Sequence, residues 1–163
     1  SRQGVGSTFT VEIPLLIAEH VETEEKENLK KDMDLHGLHI LLAEDNDLNA
    51  EIAIALLEEQ GMIVTRAADG KSVLAQFCNT DPGAFDLILM DIMMPEMNGY
   101  ETTKAIRNLP DRPDGKVIPI IAMTANAFAE DVQTALNAGM NDHVAKPVDM
   151  EILTSVITKY IER

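Results

Sequence analysis

From residue 38 onward, short apolar runs alternate with longer stretches in which apolar residues recur at helical spacing. Residues 38–43, 62–67, 85–91, 117–123 and 143–145 are nearly unbroken hydrophobic segments, as expected of strands buried on both faces. Between them lie candidate helices marked by Leu48, Ile52, Leu56 and Leu57, by Val73, Leu74 and Phe77, and by Ile106 and Leu109. Two more are marked by Phe128, Val132 and Leu136, and by the pairs Ile152/Leu153, Val156/Ile157 and Tyr160/Ile161. Gly61 and Gly139 supply helix stops. Residues 110–116, with two prolines, two aspartates and a glycine, read as a surface excursion.

Five strand–helix units of this size need parallel strands, right-handed crossovers and helices on both faces. The predicted fold is α/β, a flavodoxin-like doubly wound five-stranded parallel sheet in order 2-1-3-4-5 with five helices. In such a sheet, ligands bind outside the carboxyl ends of the strands. The first run here ends in Glu44-Asp45, the third in Asp91, the fourth in Thr124-Ala125 and the fifth in Lys146-Pro147. Order 2-1-3 makes the first and third strands neighbours, so Glu44, Asp45 and Asp91 would share one pocket.

Three carboxylates that close repel one another, and a divalent cation resolves the conflict. Oxygen donors without nearby Cys or His favour a hard ion, and Mg²⁺ needs only one or two direct carboxylates and a carbonyl. The expected ligands are Asp45, Asp91 and the backbone carbonyl of Met93, with Glu44 acting largely through water. A cation beside a carboxylate, with a lysine and a hydroxyl opposite, suits phosphoryl transfer to that carboxylate. Asp91 would be the nucleophile, while Lys146 and Thr124 would face the phosphoryl oxygens. Each residue also has a plainer reading: Lys146 as a surface lysine, Thr124 as a helix cap, residues 44–47 as an acidic helix start, and Asp91 as a turn cap.

Composition narrows the field. With 163 residues, 45% hydrophobic and 25% charged, the chain fits one globular domain with appended sequence. A net charge of −15, from 28 acidic against 13 basic residues, argues against nucleic acid as a partner. The single cysteine, Cys78, excludes an internal disulfide and reads as a partly buried helix residue without chemistry. There is no apolar stretch long enough to cross a bilayer and no signal-peptide pattern, so the segment is expected to be cytoplasmic and without membrane contact. Residues 18–37, rich in Glu and Lys, read as a charged linker, and the folded domain is expected over 38–163.

These residues closely resemble the receiver domains of two-component response regulators. Glu44-Asp45 resembles the acidic pair, Asp91 in Asp-Ile-Met-Met-Pro-Glu-Met-Asn-Gly the phosphoacceptor, and Thr124-Ala125 the hydroxyl position with its small neighbour. Lys146-Pro147 is similar to the invariant lysine and the cis-proline position after it. The resemblance implies Mg²⁺-dependent phosphoryl transfer from a phosphohistidine on a histidine kinase or histidine phosphotransfer domain, with slow autohydrolysis and a switched interaction surface. It implies a phosphoacceptor rather than an enzyme for this segment. Two positions depart from the pattern: Asn98 stands where the family often has Asp, and His143 occupies the switch aromatic position. Residues 1–17 resemble the closing glycine box and last strand of a histidine-kinase ATP-binding domain, which suggests a hybrid sensor kinase as parent. That parent would be an enzyme and could be membrane-anchored, and a homodimer is a further candidate association. The competing readings are a pseudo-receiver that binds partners without phosphorylation and a haloacid-dehalogenase-like phosphatase. The latter wants a second aspartate where this chain has Met93.

Overall fold

The computed structural model describes residues 35–125 and 129–161, so the expected kinase remnant (1–17) and nearly all of the charged linker lie outside the described residues. Five strands form, β1 (His39–Ala43), β2 (Ile63–Ala67), β3 (Leu87–Asp91), β4 (Ile120–Thr124) and β5 (Asp142–Ala145). Five helices follow them in turn, α1 (Asp47–Glu59), α2 (Gly70–Asn79), α3 (Gly99–Arg107), α4 (Ala129–Ala138) and α5 (Met150–Ile161). The strands pair in parallel in the order β2-β1-β3-β4-β5, as the strand–helix alternation requires.

Alternate strand residues go to opposite faces. Leu41, Ala43, Ile88, Met90, Ile120 and Ala122 pack with Val73 and Phe77 of α2, Ile106 of α3 and Ala135 of α4. Ile40, Leu42, Leu87, Leu89, Ile121, Met123 and Val144 pack with Leu57 of α1 and with Leu153 and Ile157 of α5. Each fully buried Leu, Ile or Val contributes on the order of 1.5–3 kcal/mol, so these two layers fix strand order and register together. Leu35, only 4% exposed, joins the second layer, and Gly37 N donates to Gly61 O. The packed unit therefore reaches back before Leu38; a single leucine next to a charged run leaves no periodicity to reveal this.

Four local readings differ from the sequence expectation. Helix α1 turns Ala50 and Leu57 inward with Ala53 and Ile54 partly buried, while Leu48 and Ile52 are 64% and 52% exposed. Apolar residues cover two stripes of this helix, and the one containing alanines allows the closer approach. In α4 the buried residues are Ala135 and Ala138 and Leu136 is exposed, whereas Phe128 lies outside the described residues. Cys78 is exposed rather than partly buried. Residues 110–116 are no simple surface excursion: Arg112 is 7% exposed with its guanidinium 4.1 Å above the Phe77 ring. It donates to Asp114 at 2.9 and 2.8 Å, to Thr80 O at 3.0 Å and to Phe77 O. Asp114 in turn accepts from Gly83 N at 3.1 Å, and Pro113–Lys116 forms a short 3-10 turn. Among the described residues no helix is long and apolar enough to cross a membrane.

Candidate functional site

Register delivers the site. Ala43 is paired with Met90, so one step further along the two central strands lie Glu44 and Asp91. Asp91 is itself opposite Met123, and Thr124 is opposite Ala145, directly before Lys146. Lys146 N donates to Thr124 O at 2.8 Å, which extends the β4–β5 ladder to the lysine, and the Lys146–Pro147 peptide is cis. The residues that sequence reading placed at four strand ends thus stand along one sheet edge.

The acidic groups meet. Carboxylate oxygens of Glu44, Asp45 and Asp91 all lie within 4.8 Å of one another. Glu44 and Asp91 are buried and Asp45 is exposed, so two charges have left water while the third faces it. Lys146 Nζ answers the buried pair, donating to Glu44 Oε2 at 2.5 Å and to Asp91 Oδ2 at 2.7 Å. The second oxygen of each is also engaged: Asn49 Nδ2 donates to Glu44 Oε1 at 3.0 Å, and Met93 N to Asp91 Oδ1 at 3.1 Å. Charged groups so far out of water need such partners, because an unpaired buried charge costs several kcal/mol.

Electrostatics treats the two members of this pair differently. Burial pushes the Asp91 carboxyl up, and the bonds from Lys146 and Met93 N only partly offset it. Burial also pulls the Lys146 ammonium down, but the hydrogen bonds to Asp91 and Glu44 outweigh that and hold it above the usual lysine range. The asymmetry has a simple source: the lysine has two carboxylates, whereas Asp91 has one ammonium and a carboxylate neighbour.

Other predicted residues fall around this core. Thr124 is buried at the end of β4, Ala125 is exposed beside it, and Met93 is 78% exposed just beyond Asp91. Gly99 closes the turn from behind: a Cβ there would meet Asp91 O at 2.4 Å and Ile92 Cα at 3.0 Å, so only glycine lets α3 start so close. Asn98, the residue that departs from the family's aspartate, caps α3, accepting from Glu101 N at 3.0 Å while Glu101 Oε2 accepts from Asn98 N at 3.1 Å. His143 is half-buried on β5 with Nδ1 3.7 Å from Asp142 Oδ1. Beside the acidic cluster, Ile52, Ala53, Leu56, Met123, Pro147 and Val148 line an apolar groove between α1 and the β5–α5 turn, with Glu44, Asn49 and Lys146 at its wall.

Sequence reading missed two residues here, Asn49 and Arg66. Asn49 looks like part of a helix start, and Arg66 like a polar residue on an edge strand. Their contacts to the acidic loop are made in three dimensions and leave no periodic signal.

The response regulator receiver domain family matches residues 40–158. The chain belongs to this family. Among its relatives is the aerobic respiration control sensor protein ArcB of Escherichia coli, 40% identical over 161 residues, which covers 98% of this chain but 20% of the relative. Another is hybrid signal transduction histidine kinase I of Dictyostelium discoideum, 40% identical over 76% of this chain and 7% of its own length. This receiver thus spans about a fifth or less of those proteins. Among solved structures, the receiver domain of the Pseudomonas aeruginosa sensor histidine kinase PA1611 superposes with a TM-score of 0.69 at 38% identity, covering 78% of this chain and 99% of that one. That structure holds a magnesium ion coordinated in its active-site cleft. The Vibrio cholerae chemotaxis protein CheY4 also superposes with a TM-score of 0.69, at 27% identity, covering 76% of this chain and 98% of that one. The chain is therefore a receiver domain of two-component phosphorelay systems, homologous to the receivers of hybrid histidine kinases. Its all-oxygen cluster of three carboxylates has the donor chemistry that a small hard cation takes.

Proposed function

We propose that this receiver accepts a phosphoryl group on Asp91 from a phosphohistidine of a histidine kinase or histidine phosphotransfer domain. An Asp91 carboxylate oxygen forms the new P–O bond as the N–P bond of the phosphohistidine breaks, and the imidazole leaves with the bonding electrons and takes up a proton. Asp45, Asp91 and the Met93 backbone carbonyl would hold Mg²⁺, with Glu44 acting through water. When bound, that ion neutralises charge developing on the transferring oxygens. Lys146 supplies the second positive charge, Thr124 a hydroxyl donor, and the small Ala125 leaves room beside it. Pro147 sets the turn that brings Lys146 back over the sheet edge, and His143 sits where a change at Thr124 would be read out on β5.

The observation that best supports this reading is the Lys146 ammonium, 2.7 Å from Asp91 and 2.5 Å from Glu44, with Asp45 completing the triad within 4.8 Å. The segment acts as a stoichiometric acceptor, and its parent is a hybrid sensor kinase working on the cytoplasmic side. Residues 1–17 then belong to the kinase ATP-binding domain and the charged linker follows from 18, with the receiver expected over 38–163 taking in Leu35 and Gly37 as well. Incubation with acetyl phosphate and Mg²⁺ followed by intact-mass measurement tests the assignment. A labile gain of one phosphoryl group is expected in the native chain and none in Asp91→Asn. An equal gain in that variant, or none in the native chain, would overturn it.

A further inference from the structure

Arg66 stands on the edge strand β2, opposite Leu42 in register, and its side chain reaches over the end of β1. Nε and Nη2 each donate to Glu44 O at 3.2 Å, and Nη2 also contacts Asp45 O at 3.4 Å and Asp47 Oδ1 at 2.7 Å. The arginine is itself held, since Gln76 Nε2 of α2 donates to Arg66 O at 2.9 Å. Glu44 N donates to Ala67 O at 3.1 Å, so β2 fastens the acidic loop from both the ladder and the guanidinium.

We propose that Arg66 is a positioning residue for the cation site: its planar guanidinium fixes the peptide groups of residues 44–47 and thereby aims the Asp45 carboxylate toward Asp91. Asp45 is exposed, so its direction depends on its backbone rather than on packing around its side chain. The inference rests on the reading in which Asp45 and Asp91 hold Mg²⁺. Two effects of Arg66 on a bound cation oppose each other. Its positive charge repels a cation, while its hydrogen bonds keep the ligands in place. The Arg66 side chain is 26% exposed and paired with Asp47, which is 86% exposed, so solvent screens the repulsion. The bonds to the backbone carbonyls are short-range and charge-assisted, and positioning outweighs repulsion. The fork matters here, because Nε and Nη2 close together on Glu44 O and so fix the plane of the guanidinium, which a freely rotating ammonium does not do.

Calorimetric titration of the full chain with MgCl₂ is the test. Arg66→Gln is expected to weaken Mg²⁺ binding about tenfold, the lower end of what loss of a group that orients metal ligands costs. Arg66→Lys, which keeps a cation over the carbonyls but loses the fork, is expected to fall between the two. If the glutamine variant does not fold, the lysine variant alone still decides. At saturating Mg²⁺, labelling of Arg66→Gln by acetyl phosphate should reach the native extent, because the defect lies in assembling the site. Native-like or tighter Mg²⁺ binding by both variants would overturn the inference and leave the cation site standing. No Mg²⁺ binding by the native chain would remove the cation site itself, and this inference with it.

Discussion

Burial pushes the Asp91 carboxyl up, against the pull of Lys146 Nζ at 2.7 Å and Met93 N at 3.1 Å. A carboxyl whose folded value lies above its unfolded one binds a proton more tightly when folded, so its ionised form detracts from stability. The penalty is absent below the unfolded value of 3.8 and grows as the pH rises from there through the raised folded value. In EDTA at pH 7, Asp91→Asn is therefore expected to be more stable than the native chain, with Lys146 keeping Glu44 as its partner at 2.5 Å. A higher urea midpoint checks this; a lower one would mean that the Lys146–Asp91 bond outweighs the burial cost. The residues of this cluster were legible because each ends an apolar run. Asn49 and Arg66 were not, since an amide in a helix start and an arginine on an edge strand are ordinary until the loop between them is folded.

At the level of elements, the connection from α3 to β4 shows how composition misleads. Two prolines, two aspartates and a glycine announce turns, and they do form a 3-10 turn, but nothing in the pattern says that Arg112 will lie across Phe77. The contact joins residues 35 positions apart, and only packing of α2 brings them together. Arg112 holds the Asp114 carboxyl down at about 2 through its two hydrogen bonds. A depressed carboxyl contributes stability that is present above its unfolded value of 3.8 and is lost as the pH falls through about 2. The expected result is a fall in the urea midpoint between about pH 4 and pH 2 that is shallower in Asp114→Asn. An identical slope in both chains would show that other carboxylates govern acid unfolding. Helix α1 gives the same lesson from the other side. Both of its stripes are apolar in sequence, and the sheet took the one with alanines, leaving Leu48 and Ile52 exposed and Ile52 beside the site.

Across the whole described domain, strand order and site are one fact. Five parallel strands in the order β2-β1-β3-β4-β5 put every strand's carboxyl end on one edge, and the runs of Val, Ile and Leu that reveal the strands also mark where they end. The topology was legible for that reason, while the detailed geometry of the edge depends on distances that no pattern encodes. The edge gathers two buried carboxylates and an exposed one in a chain of net charge −15, and Lys146 bonds directly to only two of them. A cation that binds the folded site but not the unfolded chain must stabilise the fold by mass action, by about 2.7 kcal/mol at a hundredfold excess over its dissociation constant. For a domain of this size that is roughly a 10 °C rise in Tm. Thermal unfolding in MgCl₂ against NaCl at equal ionic strength separates site binding from general screening of the acidic surface. The expected rise appears with MgCl₂ and shrinks in Asp91→Asn, which has lost one ligand. Equal rises with both salts would assign the stabilisation to surface charge and leave the carboxylate cluster without a cation to hold.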